Sequence, residues 1–293
     1  MKVVFILFFC FVFSIMGFSQ PEPVLTQNDL MQTKIERSAL QYMKINLLRT
    51  YIMEVEKNEL TGRKALVSEV YYDKNACPES IVYFDSAGNR SQYTHYLYNS
   101  DLYKTEEIFF NSDSTLIGGV AIECDSSGIT KAFIVYNKNA EITSEYKFLV
   151  DPVKNIIVAQ ISNKKNNKQN YKYYHITGGM KDGRIASVEN FNENGILNDS
   201  ISYHYNQAGQ LSFKQYFDSD RKAMQETWFF YNDEGAVEKT QEINILTSQQ
   251  RSFSYAYDEY GNRTSLIESD KNNKIISYYR FEYFSRVLPP EKR

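Results

Sequence analysis

Tryptophan occurs once in this chain of 293 residues, histidine and cysteine three times each, and proline six times. Each scarcity removes a class of answer. The histidines, His95, His175 and His204, form no HExxH motif and no zinc-ligand spacing, and there is no CxxC pair. Gly178-Gly179 is an isolated pair with no phosphate loop around it. No nucleophile elbow marks a hydrolase serine. No catalytic, cofactor-binding or metal-ligating residues are therefore predicted, and the chain reads as a non-enzyme. A formal charge of −3 lacks the excess of one sign that nucleic acid or a charged membrane surface would call for.

An apolar-rich run without charge, Val3 to Phe18, follows Lys2. With Gly17 and Ser19 ahead of Gln20, it has the layout of a cleaved export signal over residues 1–19. Leu7-Phe8-Phe9 before Cys10 lacks the small residues of a lipoprotein site. The leader looks like those of exported proteins of the Bacteroidota. The expectation is an exported protein of the periplasm or cell surface, with no stable membrane insertion after cleavage.

What the chain has in quantity is tyrosine, 24 residues, and phenylalanine, 19. Both favour pleated, half-buried surfaces. They precede a ladder of Asp and Asn. One series runs Asp73, Asn99, Asp125, Asp151, Asn206, Asn232, Asp258. The other runs Asp85, Asn111, Asn137, Asn163, Asn192, Asp218, Asn244, Asp270. The period is 26 residues, with one step of 29 across the middle of each series, and Met180 fills the one slot without an Asx. Glycine recurs three residues later, as at Gly88, Gly128, Gly183, Gly195, Gly209, Gly235 and Gly261, while Asn166 and Asn273 take that place elsewhere. Asx followed by glycine at the fourth position is type I turn chemistry, and such a turn closes a hairpin. Glu59 with Gly62 extends the pattern one turn towards the N-terminus.

Between turns the pattern has period two: Phe253, Tyr255 and Tyr257 alternate with Ser252, Ser254 and Ala256. The fold class is all-β, a long antiparallel up-and-down meander of about 18 strands over residues 47–286. A flat sheet of that size would exceed what twist allows. A curled or spiral sheet with its aromatic face inward is expected, ahead of a straight single-layer ribbon of the MORN type and a four-bladed propeller. Residues 20–46 precede the repeat. Thr26 or Asn28 is placed to cap a short helix there, with Met31, Ile35 and Tyr42 or Met43 on one side, covering the first sheet edge. Residues 287–293 form a tail. About four strands separate Cys77 from Cys124, too far for a disulfide, so two free thiols are expected. Successive Asx of one series stand two strands apart, too far to share a calcium ion. The segment Lys164–Asn170 reads as a solvated hairpin tip.

Tyr255-Ala256-Tyr257-Asp258-Glu259-Tyr260-Gly261-Asn262-Arg263, with Asp270 supplying a second turn, resembles a YD repeat of the RHS family. Looser matches lie at Phe84–Arg90, Tyr203–Leu211 and Phe229–Val237. The resemblance implies a β-shell in an envelope or surface setting. The unit here is longer than the family's, the chain is short for a complete cocoon, and no toxin-like segment follows the repeats. The functional expectation is a non-catalytic binding or scaffold module of the cell envelope with an unknown protein or glycan as partner. Tyr203, Tyr205, Tyr255 and Tyr257 are the candidate ligand-stacking residues. A shell fragment that shelters another polypeptide and an envelope-polymer hydrolase stand as alternatives.

Overall fold

A computed structural model of the chain describes residues 37–164, 168–177 and 183–285. The expected signal segment, the capping positions Thr26 and Asn28, Met31, Ile35, Asn166, Met180 and the tail 287–293 lie outside them. Eighteen strands follow in sequence: β1 (Ile45–Glu56), β2 (Glu59–Tyr72), β3 (Pro78–Phe84), β4 (Arg90–Tyr98), β5 (Lys104–Asn111), β6 (Leu116–Cys124), β7 (Thr130–Asn137), β8 (Ile142–Asp151), β9 (Ile156–Asn163), β10 (Lys168–Thr177), β11 (Arg184–Phe191), β12 (Leu197–Tyr205), β13 (Leu211–Asp218), β14 (Ala223–Tyr231), β15 (Val237–Asn244), β16 (Gln249–Tyr257), β17 (Arg263–Asp270) and β18 (Ile275–Ser285). Each pairs antiparallel with its neighbour in sequence.

The sheet does not spiral and does not stay open. β1 pairs with β18 from Ile45↔Ser285 to Met53↔Tyr278, closing an up-and-down barrel. Closure satisfies both edges, which a spiral would leave bare. Eighteen strands at ordinary spacing and tilt give a ring about 35 Å across. The closed ring leaves no edge strand of the sheet uncovered. Residues 37–42 are helical and lie over one end of the barrel instead. There Arg37 donates to the Leu102 carbonyl at 2.9 Å, and Asn262 Nδ2 lies 3.2 Å from Met43 Sδ.

Twelve turns have the expected form: those at Asp73, Asp85, Asn99, Asn111, Asp125, Asn137, Asn192, Asn206, Asp218, Asn232, Asp258 and Asp270. In each, the N–H three residues on donates to the Asx carbonyl, and the Asx N–H donates to the carbonyl four residues on. The side chain adds to this, as where Asp85 Oδ1 accepts the N–H groups of Ala87 and Asn89 at 2.9 Å. The fourth position is left-handed throughout, and six of the twelve fill it without glycine: Ala76, Leu102, Ser114, Ala140, Arg221 and Asn273. Asp151 and Asn244 stand on wider turns, accepting from Val153 and Lys154 and from Thr247. Asn163 ends β9, opposite Lys168. The first hairpin departs from expectation: Lys57 and Asn58 form a two-residue turn with φ of 51° and 70°, and Gly62 sits inside β2. Two successive left-handed residues make a type I′ turn. It replaces the Glu59–Gly62 turn.

A strand's side chains alternate between the two faces of the sheet, so the cross-strand registers divide them between the inside and outside of the ring. The buried cluster of Val120, Ile122, Phe133, Phe148, Ile157, Ala159, Tyr174, Ile176 and Val188 shares the inward face. The outward face carries Glu106, Glu145, Lys147, Glu189, Lys239, Arg280 and Glu282. A membrane-spanning barrel needs an apolar outward band, and one charge at the midplane costs ~2–4 kcal/mol. Outward, these charges stand among exposed apolar side chains such as Trp228 and Phe230. No helix among the described residues is long and apolar enough to cross a membrane.

Cys77 is buried and Cys124 half-buried, and both thiols are free. Burial pushes both thiols up from their ordinary value.

Candidate functional site

The inward wall has two characters. Over β6–β11 it is dry: Ile157 and Ala159 are 1% exposed, Val188 2% and Phe133 2%. Phe133 packs edge-on against Phe148, with ring centroids 5.4 Å apart. Over β13–β18 it is polar. One cross-strand row runs Lys214, Thr227, Glu242, Arg251, Asp270, and the next holds Phe229, Thr240, Phe253, Glu268 and Ser277.

Glu268 is buried, and both its oxygens are taken. Arg251 donates to Oε1 at 3.0 Å and Ser277 to Oε2 at 2.8 Å. Glu242 faces Lys214, Arg251 and Glu268. Burial raises its carboxyl above the usual range, opposed by the two cations and assisted by the carboxylate of Glu268. A third group stands where the walls meet. Asn190 donates to Asp199, and burial together with Asp199 raises the Tyr216 hydroxyl. Burial holds Lys172 below the usual lysine value, with Asp199 opposing.

The four candidate tyrosines all point inward and are half-buried. Tyr205 donates to the Ile185 carbonyl at 2.8 Å and Tyr257 to the Val237 carbonyl at 2.7 Å. Tyr98 and Tyr231 make the same bond, to Pro78 and Leu211. Each spans 20 residues and reaches a carbonyl where a bulge interrupts the ladder. These hydroxyls act as latches within the wall. The Tyr255 hydroxyl lies 3.3 Å from Thr240 Oγ1, and Tyr203 packs against the dry cluster. The four therefore line one wall, where Arg184 lies 5.5 Å from the centroid of the Tyr205 ring and Arg263 4.6 Å from that of Tyr255.

The histidines do not converge. His175 Nε2 lies 3.0 Å from Glu189, which also accepts from Arg221. His204 stacks beside Phe213 on the outside, and His95 lies on an outward row of β4. Among the described residues no group of His, Cys, Asp and Glu could hold a metal ion.

No family profile and no curated protein matches the chain. Solved structures resemble it distantly. A porin-like protein from Bacteroides uniformis shares 8% identity, with 83% of this chain and 97% of that one covered and a TM-score of 0.40. A porin-like protein from Bacteroides vulgatus shares 9%, covering 82% and 98%, with a TM-score of 0.35. TcdB2-TccC3 without its hypervariable C-terminal region shares 9%, over 84% of this chain and 18% of that one, with a TM-score of 0.27. At such identities and scores, what those proteins do does not pass to this chain.

The polar wall was missed from the sequence, although a signal for it existed. Two residues before each Asx of the second series stands an inward side chain: Tyr83, Phe109, Val135, Ile161, then Asn190, Tyr216, Glu242, Glu268. The slot changes from apolar and aromatic to polar after the 29-residue step.

Proposed function

We propose that the chain is an exported, non-catalytic binding barrel of the bacterial cell envelope that takes a glycan on its inward wall over β12–β18. The observation that supports this most is the division of that wall. Tyr203, Tyr205, Tyr255 and Tyr257 stand on the same wall as Thr227, Thr240, Arg251 and Glu268, and aromatic side chains with flanking hydrogen-bonding groups suit sugar rings. The charges on its outward face, such as Glu145, Lys147 and Glu189, favour a barrel that stands in the periplasm or outside the cell without spanning a membrane.

An envelope-polymer hydrolase is the reading favoured by Glu242 and Glu268, two inward carboxyls in unlike surroundings. Arg251 and Ser277 occupy both oxygens of Glu268, leaving Glu242 without a free carboxylate beside it, so binding without turnover is the better reading. The width of an 18-strand ring favours the third reading, a shell around another polypeptide.

Titrating residues 20–293 with soluble cell-wall glycan fragments by calorimetry tests the proposal. Saturable heat is expected, weakened at least tenfold by Tyr255→Ala, with fragments recovered uncut by mass spectrometry. Cleaved fragments would favour the hydrolase. Absence of heat from every fragment, with a polypeptide retained by the barrel isolated from cells, would replace the glycan with the shell.

A further inference from the structure

Several polar side chains of the inward wall satisfy one another. Arg251 and Ser277 hold Glu268, and Asn190 and Tyr216 hold Asp199. Two neighbours on β10 stand apart from this pattern. Asn170 Oδ1 is buried and receives no hydrogen bond. Among the described residues Lys172 makes no hydrogen bond and no ion pair, and its Nζ lies 5.4 Å from the centroid of the Tyr174 ring. An acceptor kept from water without a donor weakens a fold, so a group that brings a donor is favoured there.

The two positions are next-but-one neighbours on one strand, so both side chains face inward, rooted about 7 Å apart. Ile161 is the cross-strand partner of Asn170, and Ala159 is that of Lys172. The wall therefore lacks one donor and one acceptor a short distance apart, with an aliphatic side chain beside the first. A trans secondary amide has that form. Its N–H and C=O point in opposite directions. With a hydrogen bond of about 2.9 Å at each edge, it spans about 7 Å between its partners.

We propose that Asn170 and Lys172 form a subsite for the acetamido group of an N-acetylated sugar. The amide N–H donates to Asn170 Oδ1, the carbonyl accepts from Lys172, and the acetyl methyl rests against Ile161. This rests on the glycan reading and names the sugar that the barrel prefers. Charge argues against the other substituents a sugar carries. A carboxylate drawn to Lys172 would also face Asp199, whose charge acts on the same lysine, and an ammonium group would be repelled by Lys172. A neutral amide meets neither penalty. A hydroxyl, with one heavy atom, has less reach and no methyl for Ile161. With no hydrogen bond to hold it, Lys172 can turn from the Tyr174 ring as the group enters.

Calorimetric titration of residues 20–293 with the trimers of N-acetylglucosamine and of glucose, joined by the same linkage, tests the subsite. The two differ only in carrying an acetamido group or a hydroxyl at one position of each ring. The acetylated trimer is expected to bind about tenfold more tightly or better. Asn170→Ala and Lys172→Met are each expected to reduce that ratio severalfold. Equal affinity for the two trimers would overturn the subsite and leave the glycan reading standing. Silence from both trimers with heat from cell-wall fragments would do the same, whereas silence from all of them would overturn both. A ratio that the folded variants retain would also overturn the subsite, because the acetamido group would then be read elsewhere. A tripeptide that binds as well as the acetylated trimer, and is weakened by Lys172→Met, would assign the amide to a polypeptide instead of a sugar. Should neither variant fold, a nuclear Overhauser contact from the acetyl methyl to the Ile161 side chain is expected in the unaltered protein, and its absence would overturn the assignment.

Discussion

The two halves of this barrel share one turn chemistry and one register but have different interiors. In β6–β11 the inward side chains pack against one another and exclude water. In β13–β18 inward charges and hydroxyls meet in pairs, and Tyr216 at the border is 39% exposed. Strand geometry is therefore independent of what fills the ring. Hairpins repeat because Asx turns repeat, while the wall varies one slot at a time.

The largest expected effect comes from truncating the dry half. Phe133→Ala should cost about 3–5 kcal/mol in denaturant unfolding, since it opens a cavity between Phe148 and its neighbours. Tyr216→Ala, at a partly exposed inward position, should cost less than about 1 kcal/mol. Equal losses at the two sites would erase the distinction between the halves. Next, Glu268→Ala strands Arg251 and Ser277 in the polar half. A loss of about 1–3 kcal/mol is expected, smaller at high salt because Arg251 is partly exposed; a neutral result would mean that the pair contributes nothing to the fold.

Turn substitutions should not distinguish the halves. Ala140→Gly, in the β7–β8 turn, and Arg221→Gly, in the β13–β14 turn, each relieve a left-handed side-chain residue. Each should stabilise by up to about 1 kcal/mol, and a large difference between them would mean that the turns, too, belong to unlike halves. The smallest effect is pH-dependent. Burial raises the Glu242 carboxyl, so the folded barrel holds that proton more tightly than the unfolded chain does. Its contribution is fully present below the unfolded value and is lost as pH rises through the folded one. Glu242→Gln should therefore raise the denaturation midpoint at neutral pH and leave it nearly unchanged in acid. The same gain at both pH values would show that charge is not the cause.

The strand number and the turn positions were legible because both are local. An Asx side chain and the N–H groups two and four residues on lie within one hairpin, as at Asp85 and Asp258. Non-glycine residues at left-handed positions, such as Leu102 and Arg221, were not legible, because the surrounding hydrogen bonds impose that conformation against preference. The Lys57-Asn58 turn was missed for the same reason. Closure is the non-local feature: nothing in the sequence of β1 names β18 as its partner. The polar wall lay in between, visible in one slot of the repeat once the direction of that slot was known. The family resemblance to YD repeats concerned this turn chemistry, and it did not foretell a closed ring.

The pairing of Ile45 with Ser285 has a consequence in time. Every other strand of the barrel can find its partner within one hairpin, so the sheet can grow hairpin by hairpin from either end. The seam cannot. It joins the first strand to the last, and the entropy of closing so long a loop must be met before any of its hydrogen bonds form. Until β18 pairs with it, β1 carries an unpaired edge of twelve residues able to add a strand from another molecule. The finished ring has no edge to offer, but the growing one does, and its exposure to aggregation lasts until the seam closes.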